Sequence, residues 1–248
     1  MSEGLGEFLR SRRTRLTPKE VGLPDGRRRR TPGLRREEVA ELADIGVDWY
    51  VRLEQGRAVN PSPATIDALA RALLLDDTER AHLEALARNG QRRRFEREVV
   101  PEATRRVVGA MVEPAYVTGR RWDLLVCNAA AEELFGGVPD NVLEHLLLDP
   151  AGRELFGAAW EGQVAHAVAQ FRAAYDLWAP DPAFVDLAAR LRRGCPEFDG
   201  WWDAHEVLGG GAGRKVLSRG VYDYATFRLN EDPELRLTVY TAERAGST

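Results

Sequence analysis

One stretch of the 248-residue chain constrains its fold more than any other: residues 35–56, RREEVAELADIGVDWYVRLEQG. Helical spacing puts Val39, Ala40 and Ala43 on one face. Asp44-Ile45-Gly46 then interrupts the pattern with a turn, in which Ile45 is placed to plug the corner. A second helix follows and buries Tyr50 and Leu53, three residues apart. Two short helices meeting at an angle across a tight turn make a helix-turn-helix.

This arrangement leaves Val47, Asp48, Trp49, Val51 and Arg52 on the exposed face of the second helix. The N-terminal end of such a helix fits the major groove of double-stranded DNA. Arg52 can donate two hydrogen bonds to guanine O6 and N7, and Asp48 can accept from cytosine N4. Each such contact discriminates against a wrong base by about 1–3 kcal/mol. Val47 and Trp49 offer apolar contact to thymine methyls, or Trp49 lies against the sugar-phosphate backbone. Arg35 and Arg36, at the start of the first helix, are expected on phosphates, where they set register. Arg27, Arg28, Arg29 and Arg30 occupy a long connection from which they can track phosphates or enter a minor groove.

Two helices and a turn also occur in many all-α proteins, and an arginine run is often only a solvated face. The charge distribution bears on that choice. The net charge is −4, yet from Arg10 to Arg36 eleven basic residues face only Glu20 and Asp25. A basic head on an acidic body suggests that the head alone meets a polyanion.

The chain reads as two domains. Through about residue 90 the spacing is helical, with Leu5, Phe8 and Leu9 forming one stripe and Ile66, Leu69, Ala70 and Leu73 another. Ser62-Pro63 is a helix entry, with Ser as the cap and Pro at the first helical position. Residues 91–104 are polar and read as a linker. From 105 to 248, strand patterns at both ends flank a helical middle. Ala115–Thr118 and Trp122–Cys127 form a hairpin around Gly119-Arg120-Arg121, and Leu235, Leu237 and Val239 alternate with polar neighbours. The expected fold class is therefore an all-α helix-turn-helix domain, residues 1–90, followed by an α+β domain with an antiparallel sheet covered by helices.

Catalytic and metal signatures do not emerge. Cys127 and Cys195 are far apart and outside any metal-ligand spacing, so both read as small core residues. There is no GxSxG, HExxH or dinucleotide fingerprint, and nothing fixes Cys195, Asp203 and His205 as a nucleophilic set. Gly209-Gly210-Gly211 and Gly213-Arg214-Lys215 lack the phosphate-loop ending, and read as a flexible loop before a strand. No apolar run spans a membrane and no signal peptide opens the chain, so a cytoplasmic protein is expected.

The strings LGEFLRSRRTRLTPKEVGLP, RRRRTPGLRREEVAELA, DWYVRLEQGR and PSPATIDALARALLLDDTERAHLEALA resemble the XRE/lambda-repressor-like helix-turn-helix family. The second half, through YVTGRRWDLLVCNAAAEELFG, PEFDGWW and RLTVYTAE, is similar to its MmyB-like branch. In related repressors the positions matching Val47, Asp48 and Arg52 face bases. Two positions depart from the pattern: Asp44 replaces the usual turn glycine and must adopt a left-handed conformation, and Gly46 replaces the usual serine cap. The resemblance implies a PAS-like ligand-binding domain in residues 105–248 and a small apolar, fatty-acyl-like effector. Phe135, Leu143, Phe156, Trp160, Phe171, Trp202 and His205 are its candidate lining, although the aromatic residues suit a solid core equally well. A ligand-responsive regulator acting as a homodimer, with no cofactor and no catalysis, is the leading expectation. The alternatives are a C-terminal domain that binds a partner protein and an enzyme with a DNA-targeting head.

Overall fold

Each apolar stripe of the first half becomes the buried face of a helix. The computed structural model describes residues 3–24, 33–57, 60–88, 94–178, 181–204, 206, 211–230 and 232–242, and the chain divides into two compact units. The first comprises residues 1–93 with Tyr175–Pro180, and the second Arg94–Ala174 with Asp181–Thr248.

The first unit is helical. Its elements are α1 (Glu3–Arg15), α2 (Arg36–Leu42), α3 (Val47–Glu54), α4 (Pro63–Ala72) and α5 (Asp77–Arg88), with a short 3₁₀ turn at Pro18–Val21. Phe8, Leu9, Leu34, Val39, Tyr50, Leu53, Leu69, Leu83 and Leu86 are almost wholly buried and form its core. Side chains of this size stabilise by roughly 1.5–3 kcal/mol each when fully buried. Ser62 Oγ accepts from the Thr65 N–H at 3.2 Å, which caps α4 ahead of Pro63. At Gly6 a β-carbon would stand 2.5 Å from the Glu54 carbonyl oxygen, so glycine lets α1 lie against the end of α3.

The second unit packs helices against one five-stranded antiparallel sheet. In chain order it contains α6 (Glu102–Ala110), β1 (Ala115–Thr118), β2 (Leu124–Cys127), α7 (Ala129–Phe135), α8 (Val142–Leu148), α9 (Pro150–Phe156), α10 (Trp160–Trp178), α11 (Pro182–Gly194), α12 (Phe198–Asp203), β3 (Ala212–Leu217), β4 (Gly220–Arg228) and β5 (Arg236–Ala242). The last four residues of α10 belong to the first unit. Residues 91–93 of the expected linker lie outside the described residues, and its last three open α6.

Strand order is β2-β1-β5-β4-β3, so the last strand lies in the middle of the sheet. Side chains alternate between faces along each strand. One face carries Ala115, Val117, Leu237 and Val239, and with Leu235 it packs on Val100 and on Val108 of α6. The other face turns toward the remaining helices.

Asn128 fixes the join between the hairpin and α7. Its Oδ1 accepts from the Ala115 and Ala131 N–H groups, and its Nδ2 donates to the Met111 and Glu113 carbonyls. Away from the sheet, Phe171 stacks on Phe184 and Phe198 stacks on Trp202, making a helix-on-helix core.

Candidate DNA-binding face and ligand cavity

The turn between α2 and α3 adopts the geometry its sequence demands. Asp44 takes φ +52°, the left-handed conformation that Asp tolerates better than most residues. The Ile45 N–H then donates to the Ala40 carbonyl at 2.9 Å, and Gly46 opens α3 as its cap. Tyr50 and Leu53 point inward, while Val47, Asp48 and Arg52 are exposed and Trp49 and Val51 are half-buried. Among the described residues neither Asp48 nor Arg52 forms an ion pair, which leaves both side chains available to a ligand.

Arg35 is exposed at the start of α2, and its N–H donates to Glu38 Oε2 at 2.7 Å. Arg36 is tied down more firmly. Its Nε and Nη2 donate to Glu54 Oε1 at 3.0 and 2.8 Å, although the side chain remains 42% exposed. Arg13 donates to both oxygens of the same carboxylate. Burial pushes the Glu54 carboxyl up, but hydrogen bonds from Arg13 and Arg36 outweigh it and hold its pKa below the usual range. Arg27, Arg28, Arg29 and Arg30 lie outside the described residues.

The second unit holds a partly open cavity between the sheet and its helices. Its floor is the sheet face opposite α6. Register places Tyr116 beside Thr238 and Thr238 beside Thr226, and Tyr224 beside Tyr240. Thr118 pairs with Arg236, and Lys215 reaches in from β3. The Lys215 ammonium donates to the Tyr240 hydroxyl at 3.0 Å and stands 4.6 Å from the centre of the Tyr224 ring. The roof is largely apolar, with Ala131 and Phe135 from α7, Val142 and Leu146 from α8, and Phe156 from α9. From α10, Gln163, His166 and Gln170 add polar groups.

Burial pushes the Tyr116 and Tyr240 phenols up, so both stay neutral donors. Burial first and Lys215 second push the His166 imidazole down, so it too is neutral at pH 7. Burial, followed by Glu132, raises the Cys127 thiol, which lines the wall in its unreactive protonated form. Trp122 closes the hairpin turn at φ +67°, a strained value for a bulky side chain, and its indole edges the cavity.

Of the residues expected to line a cavity, Phe135 and Phe156 do so. Leu143, Trp160, Phe171 and Trp202 are buried off its wall; Trp160, for example, donates from Nε1 to the Leu146 carbonyl at 2.8 Å. His205 lies outside the described residues. The polar floor was not singled out from the sequence. Its trace is the alternation Tyr116-x-Thr118, Tyr224-x-Thr226 and Arg236-x-Thr238-x-Tyr240, three strands with matching polar and aromatic positions. Among the described residues no group of His, Cys, Asp and Glu side chains is arranged to hold a metal ion. No described helix is long and apolar enough to cross a membrane.

A helix-turn-helix with an open second helix, joined in one chain to an α+β unit built around a cavity, defines a DNA-binding transcription regulator with a ligand-binding domain. The profile of helix-turn-helix domains matches residues 5–83. That of the MmyB-like transcription regulator ligand binding domain matches residues 100–248, more than half of the chain, which therefore belongs to this family. No curated protein matches the chain.

Proposed function

We propose that the chain is a sequence-specific, homodimeric DNA-binding regulator of the cytoplasm, whose PAS-like second unit senses a small molecule with a fatty-acyl-like apolar body. Val47, Asp48, Trp49 and Arg52 read bases, and Arg35 and Arg36 set register on phosphates together with the run Arg27, Arg28, Arg29 and Arg30. A dimer follows from the way such helices read DNA, in pairs about one turn, roughly 34 Å, apart. The cavity between the sheet and its helices carries the sensor reading: a largely apolar roof over a floor of oriented hydroxyls suits a ligand of mixed character.

The test has two arms. Protein purified from its own host is denatured and its extract searched by mass spectrometry for a co-purified small molecule. Binding to fragments of the neighbouring promoter is followed by gel shift across a salt series, with and without that extract. The expected result is specific binding that the extracted molecule alters. Absence of specific binding at moderate salt, with or without extract, would overturn the regulator reading.

A further inference from the structure

The cavity floor carries a cation at each end. Lys215 meets the hydroxyl of Tyr240 on β5, and Arg236 lies four residues away on the same strand. An even separation keeps Tyr240 and Arg236 on one face, with about 13 Å between their α-carbons. Both cations line the same continuous cavity.

Neither is neutralised from within. Among the described residues no carboxylate forms a salt bridge with Lys215 or Arg236. Among the described residues Glu132 is the one acid in the lining, and it stands exposed on α7. Directly opposite Arg236 on β4 is Arg228, a like-charge pairing that disfavours the sheet. Burial, then Arg228, push the Arg236 guanidinium down, and Glu234 only partly offsets them. An unpaired cation in such a setting is costly unless an anion joins it.

Trp122 also lines the cavity. Trp122 follows the turn after Thr118, the cross-strand neighbour of Arg236. Its indole Nε1 is buried with no hydrogen-bond partner among the described residues. An indole N–H can only donate. Between the two ends lie the hydroxyls of Tyr116, Thr226 and Thr238 below and Phe135, Val142 and Leu146 above.

We propose that the cavity takes an elongated diacid, with one carboxylate held by Lys215 and Tyr240, the other by Arg236 and Trp122, and an apolar chain between them. This rests on the reading that the second unit is a small-molecule sensor, and it replaces a ligand with one polar end by a ligand with two. The full chain is titrated by calorimetry with dodecanedioate, dodecanoate and the corresponding terminal diol. The diacid should bind at least about tenfold more tightly than either, the scale of one added charge-assisted contact. Lys215→Met and Arg236→Met should each reduce the diacid to the affinity of the monoacid, whereas Lys215→Arg and Arg236→Lys should retain the preference. A monoacid or diol that binds the wild-type chain as tightly as the diacid overturns the proposal and leaves the sensor reading intact. Binding by none of the three overturns the proposal and the sensor reading for this class of ligand together.

Discussion

Arg13 grips Glu54 with two parallel hydrogen bonds, Nε to Oε2 and Nη2 to Oε1, each 2.8 Å long. The contact links α1 to the last residue of α3, and Arg36 of α2 shares Oε1. One buried carboxylate therefore ties together the three helices that aim the exposed face of α3.

Substituting Glu54→Gln removes the charge while keeping the shape, and leaves two guanidinium groups partly uncompensated. The expected cost is about 3–5 kcal/mol, the range for breaking a buried pair from one side. Urea unfolding of the full chain, followed by helical circular dichroism, should show the lower midpoint. Arg36→Ala should cost less, because that side chain is already 42% exposed. An unchanged midpoint in Glu54→Gln would mean that the carboxylate does not hold the helices together.

The same carboxylate makes stability depend on acid. Its folded pKa lies below its unfolded value, so its contribution is present above the unfolded value and is lost as pH falls through the folded one. With an unfolded carboxyl at about 4.3, the first unit should hold its stability at neutral pH and weaken below roughly pH 4. Midpoints measured from pH 7 down to pH 3 should fall more steeply for the wild-type chain than for Glu54→Gln. Parallel curves would remove Glu54 as the cause.

At Asp44 the backbone makes the prediction. A glycine there meets no conformational penalty at φ +52°, so Asp44→Gly should be nearly neutral in thermal unfolding. Asp44→Val should cost about 1–2 kcal/mol or more, because a β-branched side chain is disfavoured in that region. Equal stability of the two variants would contradict the turn geometry.

On DNA, Arg52 and Arg35 should fail differently. Arg52→Ala should cost about 1–3 kcal/mol on the preferred site and relax selection at one base position. Arg35→Ala should weaken binding evenly across sequences and reduce the salt slope by about one unit. Competition gel shifts with single-base variants separate the two patterns. A uniform loss with Arg52→Ala would move that residue from bases to phosphates.

Local rules made much of the fold legible. Ser62-Pro63 declares a helix start whatever surrounds it. The break at Asp44-Ile45-Gly46 marks the turn because the apolar spacing changes phase there. The cavity was less legible for a physical reason. Tyr116, Lys215, Tyr224 and Arg236 are brought together by strand pairings across more than a hundred residues, and each alone resembles a solvent-facing position on a half-buried strand. Phe171 and Trp202, the large apolar residues that drew attention in sequence, pack against other helices instead.

Because β5 lies between β1 and β4, the hairpins β1–β2 and β3–β4 do not pair directly and the sheet cannot close until β5 joins them. The helices α1 to α5 of the first unit all lie within residues 1–93, whereas the sheet draws its strands from both ends of the second unit. A nascent or prematurely ended chain would then carry a DNA-binding head beside an unsealed, aggregation-prone half-sheet. β5 is thus the single strand on which the continuity of the sheet, and with it of the cavity floor, depends.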